Sequence, residues 1–567
     1  MQPFWANCED RRLYAVWRQG AAPRQVWVLC PPFAEEEKSA RYTLNAIARA
    51  LQQNGHSSLL FSFSGCGDSA SDFAQASLDD WRADIIAMCE TARRRAPEAR
   101  LALLGVRLGA SLAAQVAQQC GADELCLLEP LLDGKSYLAQ LNQRRRLRGM
   151  LTDPAQQNST NSEDLDGWPL GQILKTQLED LQLHQTPLPA QTQIWQIGAR
   201  RQPAPALQQW AASNELGVKV LLMPPFWNRL DMVSPQPLLE ALQLTLSSNE
   251  PSVRHSGAGR NPAPSDANKS TFTSPSSLDS GQPRNDDGET PFLLSGKSGA
   301  LAAMLHWPEQ PKSTFIVMLH GWSGYRSGPH QMQTRAARHF ARWGYPVLRF
   351  DFAGRGDSDG DAGLTTLATM KDDLDCVREW IKSTFPGKDI ILAGLCSGCE
   401  IAFAGAAAPE ISGLMLWSAP VFAADASQQR TRRKRWHHLG EYARKLLRPA
   451  TYRKLLRGEV DARGVSKVLS HQGGESKNIE NDLPGQLPRG WRQAVMDANR
   501  HLYVPALLIY GSADPTAAEA SSWYETHLSR KCPLEKSWIE GANHSYYGLA
   551  WEAEVIARSG EWLEKYF

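Results

Sequence analysis

Short, unbroken apolar runs alternate along this chain with longer segments whose apolar residues recur every three to four positions. VWVLCPP, SLLFSF, RLALLGV and ELCLLEP are separated by helical patterns starting near Ala40, Asp79 and Gly109. FIVMLHG, PVLRFDF, DIILAGL and GLMLWSAP repeat the arrangement later, with helices expected around 332–343, 367–385 and from Gly398. Runs of this length are buried on both faces. Strands alternating with helices predict βαβ units, hence parallel sheets covered by helices on each side.

Between the two series the pattern stops. SSNEPSVRHSGAGRNPAPSDANKSTFTSPSSLDSGQPRNDDGE is rich in Ser, Pro, Asn, Asp and Gly. It has too little apolar surface to offset the entropy of ordering, so residues 248–289 are expected to be a disordered linker. The flanking halves, 1–247 and 290–567, match in register. FSFSGCGDS begins at Phe61 and FDFAGRGDS at Phe350, 289 residues apart; GVRLG at Gly105 and GLCSG at Gly394 keep the same offset. Pro31-Pro32 falls on His320-Gly321. Three motifs at one ungapped offset indicate duplication of an α/β domain.

ILAGLCSGCEIA poses the chemical question. A G-x-Nu-x-G elbow between strand and helix exposes a nucleophile, its glycines relieving the crowding of the turn. Gly394 and Gly398 stand two residues either side of Cys396, whereas Ser397 lacks that frame and Cys399 falls within the helix. Cys396 is therefore the candidate nucleophile, its thiolate favoured by the helix N-terminus and a histidine. His320-Gly321-Trp322 ends the first strong strand, where an oxyanion loop belongs, so the backbone N–H groups of Trp322 and Ser397 are the candidate oxyanion donors. PALLIYGSADP supplies Asp514 and WIEGANHSY supplies His544. The order Cys396, Asp514, His544 is nucleophile, acid, base. Asp351 and Asp357 read as loop-fixing residues.

The first half lacks these parts. Arg107 occupies the position of Cys396, Pro31-Pro32 replaces His-Gly, QIWQIG leads into ARRQP without a carboxylate, and no histidine occurs between Gln185 and Arg254. It is expected to fold alone and to be catalytically inert. Arg107, at a helix N-terminus, is a candidate anion-binding residue or the partner of an acid such as Glu129.

The second half, about Pro291 to Phe567, resembles the α/β-hydrolases associated with the exosortase A system, type-1 group. The stretches that carry the resemblance are HGWSGYRSGPHQMQTRAARHFARWGYPVLRFDFAGRGDS, the GLC elbow and RPATYRKLLRGEV. The first half, about Met1 to Leu246, resembles the type-2 group through PPFAEEEKSAR, GCGDSASDF, GVRLGA and PPFW. GLCSG departs from the GLCD of the type-1 group, and its GxCxG frame is similar to that of dienelactone hydrolase. The resemblance implies two tandem α/β-hydrolase-like domains in a bacterial cytoplasmic protein, encoded with exopolysaccharide synthesis and PEP-CTERM sorting. It also implies a helical cap, at about 421–498.

Composition narrows the partners. The 567 residues carry a formal net charge of +1, which gives no global attraction to nucleic acid. No secretory start and no 18-residue apolar window is visible. Several of the ten cysteines lie in apolar runs, which suits reduced thiols in the cytoplasm. One local excess stands out: from Arg430 to Arg457 eleven Lys/Arg face one acid, Glu441. Arg432, Arg433 and Arg435 are thus candidate contacts for an anionic glycan, an acyl carrier or a membrane surface. No metal-ligand spacing and no cofactor motif is present. The reading is a cysteine esterase, thioesterase or acyltransferase acting on an acyl ester or thioester. The alternative is a non-catalytic scaffold built from two hydrolase folds.

Overall fold

Val26 to Leu29 and Phe315 to Leu319 carry no polar side chain and are at most 2% exposed. Such segments can only be central strands of a sheet covered on both faces. The computed structural model describes residues 1–151, 164–183, 187–228, 232–248, 288–422, 486–528 and 532–567. Most of the expected linker and cap, including Arg432, Arg433 and Arg435, lies outside the described residues.

The first sheet is built from β1 (Gln2–Cys8), β2 (Arg11–Arg18), β3 (Gln25–Cys30), β4 (Ser57–Phe61), β5 (Arg100–Val106), β6 (Glu124–Leu128), β7 (Gln191–Gly198) and β8 (Val218–Leu222), in the order β1-β2-β4-β3-β5-β6-β7-β8. The second contains β9 (Glu289–Gly296), β10 (Gly299–His306), β11 (Thr314–Leu319), β12 (Val347–Phe350), β13 (Asp389–Leu395), β14 (Ile411–Trp417), β15 (Ala506–Gly511) and β16 (Leu534–Ile539), in the order β9-β10-β12-β11-β13-β14-β15-β16. In each sheet the first two pairings are antiparallel and the rest parallel. Helices α1 (Glu35–Gln53), α2 (Leu78–Arg95) and α3 (Leu108–Val116) cover the first sheet. Helices α4 (Met332–Arg342), α5 (Leu367–Thr384), α6 (Ser397–Gly405) and α7 (Leu549–Tyr566) cover the second. Among the described residues no helix is long and apolar enough to cross a membrane.

The 289-residue offset persists in local detail. Asp84 on α2 accepts from Ser64 N at 2.8 Å, and Asp373 on α5 accepts from Ala353 N at 2.8 Å. Arg107 and Cys396 share φ values of 55° and 56°, and Glu129 and Ser418 share 51° and 50°. Such strained positions recur only when the same backbone has been copied.

The linker boundary differs from expectation at its C-terminal end. Glu289 belongs to β9 and is buried, held by Arg338 at 2.6 Å and by His306 at 3.3 Å. Its acidity made it look like the last residue of a polar run, but two basic side chains draw it into the fold.

The halves pack on each other through the matched GDS loops. Asp68 of the first half meets Arg326 at 2.7 Å and Arg349 at 2.6 Å of the second. Its counterpart Asp357 meets Arg41 at 2.6 Å and accepts from the Tyr14 hydroxyl at 3.2 Å. Arg326 also reaches Asp357 at 3.0 Å and Asp351. The side chains in this network are essentially sealed from solvent.

Candidate active site

β13 runs into the elbow, where Cys396 takes φ 56°, ψ −125° and α6 begins at Ser397. That backbone costs a non-glycine residue about 1–3 kcal/mol and persists only where neighbours enforce it. They do so by close approach. A Cβ on Gly394 would lie 2.5 Å from Cys399 N, and one on Gly398 would lie 2.2 Å from Leu319 O. Gly321 brings its loop against the elbow, since a Cβ there would lie 3.3 Å from the Cys396 Cβ.

β15 ends at Gly511 and β16 at Ile539, so Asp514 and His544 emerge from the same edge of the sheet as Cys396. His544 Nδ1 lies 2.6 Å from Asp514 Oδ2. The other carboxylate oxygen accepts from Thr516 N at 2.9 Å and Thr516 Oγ1 at 2.8 Å, so the acid has no freedom to turn. His544 also acts on the Cys396 thiol, whose acidity it raises. Burial pushes that thiol up, but the His544 hydrogen bond and charge, with the Ser397 N–H, outweigh it and hold the group below its ordinary value. Burial likewise lowers His544, yet Asp514 and Cys396 raise it to about 10. Asp514 is pushed up by burial and brought below its ordinary value by His544. His544 thus shifts the Cys396 thiol toward its thiolate form.

The signs make a prediction. The thiolate of Cys396 is populated below the usual thiol range because His544 holds it there, so iodoacetamide alkylation should inflect below pH 9. In His544→Ala only the Ser397 N–H still opposes burial, so the inflection moves up, and alkylation at neutral pH falls about tenfold for each unit moved. An unchanged profile in His544→Ala would show that the imidazole does not act on this thiol.

The oxyanion loop is braced from behind. His320 Nε2 accepts from Phe352 N at 3.3 Å, which leaves the proton on Nδ1 to donate to Gly321 O at 2.8 Å. Burial lowers this histidine to about 3, so it is a neutral strut and not a second base. Trp322 N donates to Ser397 Oγ at 2.6 Å. Its N–H is therefore taken up in the unliganded site, and a carbonyl oxygen must displace the Ser397 hydroxyl to receive it. Cys399 is fully buried and its thiol donates to Gly394 O and Trp417 O at 3.1 and 3.3 Å, the packing role expected of it. Asp351 and Asp357 serve the loop and the interface, away from the relay.

Arg107 holds the elbow position of the first half but meets Glu36 at 3.5 Å, not Glu129, whose carboxylate accepts from Ile197 N at 2.8 Å. Its guanidinium lies 5.3 Å from the Tyr137 ring and 5.5 Å from the Trp227 ring. Glu36 stands in the first turn of α1, directed at the elbow, and so takes the arginine first.

Sequence reasoning missed contributors of three kinds. Thr516, two residues after Asp514, carried a readable signal, because a hydroxyl at that spacing closes an Asx-type turn. Glu35 accepts from the Tyr547 hydroxyl at 2.8 Å, and Asp164 accepts from Leu549 N at 2.9 Å, so the first half braces the segment that follows His544. Arg355 donates from Nε to Trp322 O at 2.7 Å and stacks 4.7 Å from that indole. The last two join residues far apart in the chain, and no local pattern announces them.

Comparison with known proteins shows what the chain is similar to. The chain is 31% identical over 96 residues to lysophosphatidylserine lipase ABHD12 of Danio rerio, a match covering 16% of this chain and 23% of that protein. It is 33% identical over 104 residues to the Xenopus tropicalis lipase of the same name, covering 17% and 25%. The matches span between 23% and 32% of the length of the curated relatives. Among solved structures, the Pyrococcus furiosus esterase Pf2001 aligns with 55% of this chain and 99% of its own at 20% identity, TM-score 0.34. The profile of the family described as serine aminopeptidase, S33 (Hydrolase_4) matches residues 21–167 and 292–548, spanning both halves. With two α/β-hydrolase-like sheets and this profile across most of its length, the chain belongs to the serine aminopeptidase S33 family of hydrolases.

Proposed function

We propose that the second half is a cysteine-nucleophile acyl hydrolase, acting on an ester or thioester, and that the first half is its non-catalytic support. The observation that carries this is the 2.6 Å contact of His544 with Asp514 beside an elbow cysteine whose thiol His544 holds below its ordinary value. The Cys396 thiolate attacks the acyl carbonyl and forms a C–S bond. The tetrahedral oxyanion is held by the Ser397 and Trp322 N–H groups. Collapse breaks the bond to the leaving alcohol or thiol, which takes its proton from the His544 imidazolium. His544, now neutral, removes a proton from water as the water attacks the acyl-thioester. The acid leaves, and the proton on His544 restores the pair with the thiolate. An acceptor alcohol in place of water makes the same sequence an acyl transfer. The lipase among the relatives supports acyl-ester chemistry. The link to exopolysaccharide and exosortase systems, and a cytoplasmic location, rest on the resemblance of the quoted motifs and on the free thiols.

The intermediate provides the test. Brief mixing with p-nitrophenyl acetate, acid quench and peptide mass spectrometry should find one acetyl group on the Cys396 peptide. Acetyl on another residue only, in a chain that turns the ester over, would overturn the assignment.

A further inference from the structure

The loop that carries His544 is tied to its own half on the near side of the histidine. Gly541 N donates to Ser512 Oγ at 2.7 Å, and Ala513 N donates to Ala542 O at 3.0 Å. Past His544 the Tyr546 hydroxyl still reaches its own sheet, donating to Ile509 O at 2.7 Å. Beyond that the first half takes over. Glu35 Oε1 accepts from the Tyr547 hydroxyl, and Glu35 Oε2 accepts from His330 N at 2.9 Å. The His330 imidazole is fully buried, with Glu552 2.9 Å from its Nδ1, and its Nε2 donates at 3.2 Å to the carbonyl of Ser545, the residue next to His544. One carboxylate thus holds Tyr547 directly and Ser545 through His330. Burial pushes Glu35 up, but Lys38 and the His330 N–H hold it below the ordinary carboxylate value, so both contacts are to a charged acceptor.

Two further features point the same way. His330 and Gln331 take φ values of 38° and 64°, a backbone that persists only where neighbours enforce it. The first half supplies those neighbours: Gln331 Nε2 donates to Gly65 O at 2.8 Å, and a Cβ on Gly167 would lie 2.5 Å from His330 Cγ. Helix α7 opens after Gly548, which has no side chain to cap it. Asp164 takes its orphan Leu549 N–H and is itself fixed by Gly167 N at 2.6 Å, so the cap comes from the first half. The Glu35 contact is also one-sided. The GDS loops meet as copies of each other, but the position 289 residues after Glu35 is Gly324, so the second half returns no such carboxylate. Packing two copies together does not require a clamp on one side only, placed on the segment after the histidine.

We propose that Glu35 of the first half is a positioning residue for the base of the second: by holding Tyr547 and His330 together it fixes the turn that presents His544 to Asp514 and Cys396. The proposal rests on the reading of His544 as the base. The first half then completes a site to which it contributes no reacting group.

Two readouts on the full chain test it. The first is the pH at which iodoacetamide labelling of the Cys396 peptide inflects, which reports how well His544 acts on the thiol and needs no turnover. Tyr547→Phe removes one hydroxyl and Glu35→Ala the whole carboxylate. Both should raise the inflection toward that of His544→Ala, Glu35→Ala by more. The second is kcat for p-nitrophenyl acetate, which should fall about ten- to a hundredfold in Glu35→Ala with KM nearly unchanged, the usual effect of misplacing a reacting group by about 1 Å. Arg18→Met is the control, since it breaks an inter-half contact with Asp359 at 3.1 Å that touches neither Glu35 nor the His544 loop. It should cost stability in urea melts and leave the inflection where it is. An inflection unmoved in both Glu35→Ala and Tyr547→Phe would overturn the proposal. So would an equal movement in Arg18→Met, because any loosening of the halves would then suffice. If the wild type turns over no ester, the hydrolase reading fails, while the labelling profile still decides the clamp.

Discussion

Cys396→Ala is expected to lower kcat/KM for an activated ester by about four orders of magnitude, roughly 5.5 kcal/mol of transition-state stabilisation. The loss is large because alanine removes the nucleophile and the partner that raises His544, leaving only binding and the oxyanion donors to act on water. Cys396→Ser tests a finer point, since the family is named for serine. Its hydroxyl keeps the position and the histidine but not the low acidity of the thiol, so its rate should lie between wild type and alanine. Cys399→Ala should do the opposite of Cys396→Ala. It loses two hydrogen bonds to carbonyls and some packing, roughly 1–2 kcal/mol of stability, and leaves kcat/KM nearly unchanged. Steady-state kinetics on the three variants, with urea unfolding of the third, settle the roles. Retention of most of the activity by Cys396→Ala would move the chemistry to another residue.

The parts of this site that were legible in the sequence are those set by local spacing. Glycines at 394 and 398 had to flank one residue, because the backbone there packs against Cys399 N and Leu319 O with no room for a Cβ. Asp514 and His544 could be found because each follows a strand end, the first of them fully apolar, and strand ends on one edge of a parallel sheet converge. The duplication was legible as a constant offset, and the two strand orders follow it. What was not legible depends on contacts between the halves. Nothing near Asp68 in sequence says that its partners are Arg326 and Arg349, some 260 to 280 residues away. Arg107 was read as an anion-binding residue or the partner of an acid such as Glu129, and Glu36 was not named because helix α1 cannot be placed over the elbow by counting.

Arg326→Met should destabilise the chain by about 3–5 kcal/mol, the usual cost of leaving buried carboxylates without their cation. Arg326 is 1% exposed, lies 4.6 Å over the Tyr14 ring and serves Asp68, Asp351 and Asp357 together. Without it Asp68 keeps Arg349 and Asp357 keeps Arg41, but Asp351 is left with backbone N–H donors alone. The pH dependence has a definite sign. Burial pushes Asp68 and Asp357 up, but the arginines around them hold both below the ordinary carboxylate range. Their contribution is therefore present above about pH 4 and is lost as pH falls through the folded-state values. Asp351 is raised by burial to about 6 even with Arg326 beside it, and rises further when the guanidinium goes. The deficit of the variant should thus be largest above pH 7 and narrow below about 6, as Asp351 takes up its proton. In urea melts, Asp68→Asn combined with Arg326→Met should cost less than the sum of the two single changes, because the pair is in contact. The network also bears on whether either half stands alone: residues 288–567 by themselves would leave Arg326 and Arg349 without Asp68, and Asp357 without Arg41. That fragment should be markedly less stable than the full chain and less active per mole, although its Cys396, His544 and Asp514 are all present. A deficit below about 1 kcal/mol in Arg326→Met, the range of an exposed ion pair, would show that the halves are held together by something other than these charges.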